Sequence, residues 1–272
     1  MTRAVPVLMY HHVCPRPGLV TVSPETFEEH MAYLARRGYR ALTADEFLEF
    51  LQGKRTLTGR NILITFDDGY LDNYVYAYPI LKRYGLKATV FAVTGRLGEG
   101  ATRTHLGAGK LLPATPDHRG CKAAIAEGRA DEAMLRWSEI EAMEASGNVE
   151  VHSHTHTHQR WDQMYADRNQ RFETVEKDLS DSRASLKTRL GKDTRHLCWP
   201  WGYFETEYQS IAATMGFKAQ YATVRGVNVA GGDPQRIARI VIKDRPTGWF
   251  ATRMWVYSHP RIGEFYTRLR GD

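Results

Sequence analysis

The run NILITF at residues 61–66 is apolar at nearly every position, shows no alternation, and stops abruptly at Asp67, Asp68 and Gly69. A strand that is hydrophobic on both sides has to be covered on both sides, which calls for parallel strands joined by helical crossovers. The same grammar repeats along the chain. VPVLMY, KATVFAV, NVEVHSH, HLCWPWG, FKAQYAT and RIARIVI read as further strands. Between them lie FEEHMAYLARR, ADEFLEFL, YAYPILKRYG, EIEAMEASG and FETVEKDLSDSRASLKTRLG, which read as helices. Ser23 and Pro24 supply an N-cap and a first helical residue, Gly38 a stop, and Thr43 with Glu46 and Ser138 with Glu141 two capping boxes. This is the pattern of an α/β chain. Its 272 residues, 42% of them hydrophobic, are enough for one barrel, and we expect a single domain over 1–272. Residues 96–135, rich in Gly, Arg and Ala, match no clear element and are expected to form an excursion on the surface.

Several function classes drop out on composition. No stretch approaches the roughly 18 apolar residues of a membrane span, and MTRAVPVLMY lacks the pattern of a secretory signal. Cys14, Cys121 and Cys198 are odd in number and in no CxxC arrangement, which argues for a reducing compartment, and the cytoplasm is the expected location. A net charge of +6 is spread among scattered Lys and Arg residues that form no basic run, so nucleic acid is not an expected partner.

Three polar clusters, FDDG, HSHTHTH and WPWG, each follow an apolar strand. In a parallel barrel those strand ends meet on one face, so the clusters are expected to build one shared site. Adjacent aspartates at the end of a buried strand repel each other and lose hydration, a cost that a divalent cation would offset. Because neighbouring side chains leave a strand in different directions, one carboxylate could ligate the cation and the other stay free as a base. The four histidines of EVHSHTHTH, if fully extended, would fan out over about 20 Å and could not share an ion. Curled into a turn, residues four apart come together, as His152 with His156 or His154 with His158. Val149 and Val151 mark the buried strand, so His154 is the first residue at the rim, which favours His154 and His158. A carboxylate with two imidazoles and open positions is a catalytic metal set.

These motifs resemble those of the polysaccharide deacetylases, also called the NodB-homology or carbohydrate esterase family 4 domain. TFDDG at 65–69 is similar to that family's first motif and HTHTH at 154–158 to its second. WPWG at 199–202 looks like a variant of the third, and LMYHHV at 8–13 resembles the opening strand of many members. The resemblance runs from about residue 5 to residue 242. It implies a distorted (β/α)7 barrel, with Asp67 as catalytic base and Asp68, His154 and His158 as metal ligands. It also implies a hydrolase that removes an N-acetyl group from an N-acetylated sugar by metal-activated water.

Two positions depart from the family pattern. The slot of the arginine that orients the base holds Cys198, and Arg239 in RIARIVI is the candidate to replace it. The family's last motif ends a C-terminal strand with an acid histidine, a place offered here by His259 in MWVYSHP, with His11 or His12 as substitutes. His11, Trp199, Trp201 and Tyr203 are expected to contact substrate, the aromatic rings walling an acetyl methyl or a sugar face. Zn2+ is the expected ion, with Co2+, Ni2+ or Fe2+ also compatible with Asp and His ligands. Without an export signal, the expected substrate is a glycan precursor such as a lipid-linked sugar or a lipopolysaccharide intermediate. An amidase, an O-acetyl esterase and a non-catalytic carbohydrate binder are the competing functions.

Overall fold

The computed structural model describes residues 1–109 and 111–269. Among them, eight strands form one sheet: β1 (Val7–Tyr10), β2 (Tyr39–Ala41), β3 (Arg60–Phe66), β4 (Ala88–Ala92), β5 (Val149–Ser153), β6 (His196–Cys198), β7 (Ala219–Tyr221) and β8 (Ile240–Val241). Seven run in the order β8-β1-β3-β4-β5-β6-β7, β2 lies beside β3, and every pairing is parallel. The sheet curls into the distorted (β/α)7 barrel that the family resemblance implies. Residues 237–241 touch both of its edges, because Ile237 bridges to Tyr221 of β7 while Ile240 pairs with Leu8 of β1.

Strand periodicity sorts the core into two layers. Val7, Leu63, Phe91, Cys198, Tyr221 and Ile237 pack together in one cluster. Their neighbours Leu8, Ile62, Ile64, Val90 and Val151 pack against the helices in a second. Burying one such Leu, Ile or Val contributes about 1.5–3 kcal/mol, so a one-residue slip in any strand would forfeit several contributions at once. Leu63, Thr65 and Asp67 follow one another at intervals of two, so Asp67 continues the line of side chains that includes Leu63 of the first cluster.

Local signals set the helix starts. Ser23 accepts the Thr26 N–H in front of the helix Pro24–Arg36, and both halves of the Thr43/Glu46 box cap Ala44–Leu51. The second expected box is displaced. The helix after residue 135 begins at Trp137, the Glu139 carboxylate accepts the Arg136 N–H at 2.9 Å, and Ser138 instead donates to the Gly100 carbonyl at 2.7 Å. Burial decides this, since Glu139 is fully enclosed and paired with Arg103.

Two larger expectations fail. MWVYSHP is not a strand: Thr247–Tyr257 is a helix that packs Phe250, Met254 and Tyr257 into the core, at helical rather than alternating spacing. Residues 96–135 are not merely a surface excursion either. They contain the helix His118–Ala126, capped by Asp117 accepting the Gly120 N–H, and this helix stands over the C-terminal ends of the strands.

Candidate active site and metal centre

A cavity of about 490 Å3 opens where β1, β3 and β8 end and the histidine turn begins. Met9, His11, Asp67, Asp68, His154, His158 and Trp201 line it, together with His118 and Lys122 of the excursion helix. The backbone here is strained. Val20, Asp68, His158 and Trp201, all lining residues, adopt positive φ, and the remaining non-glycine residue with positive φ among those described, Thr155, sits in the histidine turn. Such conformations cost on the order of 1–3 kcal/mol each and persist where surrounding structure enforces them, commonly at functional sites. Gly202 closes the WPWG loop at φ +68, where an added Cβ would collide with Thr223, so only glycine fits.

The two aspartates have different partners. Arg239, fully enclosed, donates from its two terminal nitrogens to the two oxygens of Asp67 at 2.6 and 2.8 Å, and its Nε to the Ala222 carbonyl at 2.9 Å. Burial alone would raise the Asp67 pKa, but the Arg239 charge, then His154, outweigh it and hold the carboxyl below its ordinary range. Cys198, in the slot where the arginine was expected, points its Sγ at Asp67 Oδ1 from 3.7 Å. Burial pushes that thiol's pKa up, so it stays protonated and is a weak donor. The guanidinium anticipated at Arg239 thus reaches Asp67, supplied from the residue just before β8.

Asp68 is the complement. Its Oδ1 is buried and accepts no hydrogen bond, although His158 Nε2 lies 3.1 Å away and His154 Nε2 3.4 Å away. Three donor atoms therefore converge without bonding to one another, an arrangement a divalent cation would satisfy. The rings are pre-oriented for it. His154 Nδ1 donates to the Cys198 carbonyl at 2.8 Å, which leaves Nε2 with its lone pair facing Asp68. His158 is held by a turn in which Thr155 Oγ1 accepts the His158 N–H at 3.1 Å. Asp178, on the long helix Arg168–Leu190, accepts the N–H groups of His156 and Thr157 at 2.6 and 3.1 Å and also pairs with the Thr157 hydroxyl. The alternative pair does other work: His152 bonds Thr194 at 2.8 Å and His156 bonds Thr94 at 3.0 Å. Asp68, His154 and His158 thus fit a divalent ion.

The other sequence candidates divide. His11 lines the cavity with its Nε2 3.9 Å from Asp67 Oδ2. Trp201 is 56% exposed at the mouth, its ring centroid 5.4 Å from that of His158. Trp199 and Tyr203 do not contact the cavity. Trp199 is wholly buried with Tyr208 and Leu197, its Nε1 donating to Gln220 at 3.0 Å, because the turn at Pro200 sends successive rings in opposite directions. Tyr203 packs on the same outer cluster under the Arg160 guanidinium. His259 is also displaced. It lies between the helices Thr247–Tyr257 and Pro260–Leu269, bonds the Trp255 carbonyl at 2.6 Å, and lines a separate cavity with Arg3, Tyr39 and Arg60. Residues that the sequence reading passed over, Arg96, His118, Lys122, Ile125 and Ala126, complete the wall.

A parallel barrel carries, at its C-terminal rim, an arginine-held aspartate beside an aspartate and two imidazoles that could hold a metal ion. Comparison with known proteins names the family: the polysaccharide deacetylase model matches residues 54–220, and the chain belongs to that family. The chain is 28% identical over 222 residues to the Bacillus subtilis protein YxkH, a match covering 82% of this chain and 65% of that relative. It is 25% identical over 233 residues to a poly-beta-1,6-N-acetyl-D-glucosamine N-deacetylase of Staphylococcus aureus, covering 82% of this chain and 68% of the relative. Among solved structures, IcaB from Ammonifex degensii superposes with a TM-score of 0.70 at 26% identity, covering 94% of this chain and 97% of that one.

Proposed function

We propose that this protein is a metal-dependent N-deacetylase acting on N-acetylglucosamine units of a glycan. The observation that carries the reading is the division of labour between neighbouring aspartates, Asp67 clamped by Arg239 and Asp68 left bare between His154 and His158. Asp68, His154 and His158 would hold the ion, with Zn2+ the first choice for a mixed carboxylate and imidazole set. When bound, that ion supplies a Lewis acid for the acetyl carbonyl and lowers the pKa of water.

The chain's own residues do the rest. Asp67, kept ionised by Arg239, accepts a proton from the attacking water. His11 takes the acid role first assigned to His259, because it shares the cavity with Asp67. Burial lowers the His11 pKa, with Asp67 and Asp68 pulling it partly back. Trp201 gives a flat apolar wall at the mouth for a sugar ring. The polymer-active relative in Staphylococcus aureus supports a glycan chain as substrate. The Arg239 clamp supports catalysis over a binding-only role.

Acetate release from β-1,6- and β-1,4-linked N-acetylglucosamine oligomers, measured with zinc-loaded protein purified without a metal-affinity tag, tests the reading. Asp67→Asn is expected to abolish release while elemental analysis finds the metal retained. Release from simple amides or O-acetyl esters alone, with none from N-acetyl sugars, would overturn it.

A further inference from the structure

Behind the wall of the cavity lies a chain of three polar groups that the proposed reaction does not use. Asp72 is 99% buried, and both of its oxygens are engaged. Oδ1 accepts the Val13 N–H at 3.0 Å and an Asn73 side-chain N–H at 2.9 Å, while Oδ2 meets His12 Nδ1 at 2.6 Å. A carboxylate in this position only accepts, so His12 carries its proton on Nδ1. His12 is fully enclosed and stacked on Tyr70, with ring centroids 3.8 Å apart. In the neutral Nδ1–H tautomer its Nε2 has a lone pair, 3.2 Å from His118 Nδ1. His118 must then donate from Nδ1, which leaves Nε2 as an acceptor on a ring that lines the cavity.

The wall bearing that ring belongs to the substrate side of the site. His118 and Lys122 lie one turn apart on the helix His118–Ala126, and the Lys122 ammonium sits 5.3 Å from the centre of the Trp201 ring. The helix and the WPWG loop therefore meet at the cavity mouth. Burial, then the nearby His12 and Lys122, push the His118 pKa down to about 4, so the ring is neutral in ordinary buffers. A neutral imidazole with a fixed acceptor, in a cavity it shares with the Trp201 ring, matches the O–H of a sugar better than it matches a carbonyl or an anion.

We propose that His118 is a specificity-determining residue whose Nε2 accepts a hydrogen bond from a hydroxyl of the bound sugar, with Asp72 and His12 fixing the tautomer from behind. This inference rests on the N-deacetylase reading above and narrows it: the excursion 96–135 selects for hydroxylated substrates.

The test compares kcat/KM of the zinc-loaded full chain on a short β-1,6-linked N-acetylglucosamine oligomer and on 4-nitrophenyl acetate, which has no hydroxyl. His118→Asn keeps a donor near the Nδ1 position for His12 but presents no acceptor to the cavity; His118→Gln places a carbonyl near the Nε2 position. Loss of one such hydrogen bond corresponds to roughly tenfold. The ratio of sugar to ester kcat/KM is expected to fall by about that factor in His118→Asn, carried by KM rather than kcat, and to recover in His118→Gln. An unchanged ratio in His118→Asn overturns the proposal; with both rates intact His118 has no role in recognition, and with both reduced equally it belongs with the hydrolytic centre instead. Wild-type protein that cleaves the ester but no N-acetyl sugar overturns the deacetylase reading and this one with it, an outcome distinct from the other two.

Discussion

The protein has two cavities of similar size at opposite ends of its strands, about 490 Å3 at the C-terminal rim and about 400 Å3 at the N-terminal rim. Both contain histidine and arginine. In the second, Arg3, Tyr39, Arg60, Asn61 and His259 stand at the starts of β2 and β3 or beside the first residues of the chain. No carboxylate lines it among the described residues, and none of its lining residues other than Gly59 has positive φ. The first cavity has two buried carboxylates, one clamped and one bare, set in strained backbone. Volume and basic side chains thus do not distinguish a reaction site from a groove. Opposed buried charges and backbone held away from its minimum do.

That contrast breaks most sharply at the metal ligands. Asp68→Ala or His154→Ala is expected to reduce bound zinc and acetate release to background, read by elemental analysis and an acetate assay. A variant that keeps its zinc would show that the convergence of these atoms is accidental. Arg239→Ala should come next, because it strands a buried Asp67 carboxylate, and loss of one partner from a buried pair costs about 3–5 kcal/mol. Urea unfolding would measure this, and Arg239→Lys should recover only part of it, since an ammonium cannot span two oxygens as a guanidinium does. Trp201→Ala should have a smaller effect, raising KM for a glycan by about tenfold or less, in line with roughly 1 kcal/mol for an exposed aromatic contact. The smallest effect belongs to the other end of the barrel: His259→Ala should change stability by less than about 0.5 kcal/mol and leave acetate release as it was. A large loss of activity there would erase the distinction between the two cavities.

The sequence exposed most of the strands and the cluster of candidate ligands because hydrophobic runs and end-of-strand polarity are local signals. NILITF and NVEVHSH read directly as β3 and β5, and the end of β5 at Ser153 selected His154 and His158 from four histidines. What stayed hidden depends on distant pairing. The register of β3 puts Asp67 in line with Leu63, and only the return of residues 237–241 to both edges of the sheet brings Arg239 to it. Trp199 and Trp201 are two residues apart, yet the turn at Pro200 buries one ring and exposes the other. The helix His118–Ala126 could have been suspected from Asp117 followed by HRGCKAAIA, an N-cap before a helix-forming run, but nothing local says that it roofs a cavity. His259 misled because a histidine near the C-terminus fits a strand-end motif until helical spacing in the preceding residues is weighed.

The span matched by the family model, 54–220, contains Asp67, Asp68, His154 and His158 but neither His11 nor Arg239. The flanks thus contribute to the same site: one places an imidazole 3.9 Å from Asp67, and the other both stitches the sheet's two borders together and grips that aspartate. A fragment trimmed to the recognisable motifs would keep the three candidate ligands and lose the seam, leaving the would-be base without a counter-charge.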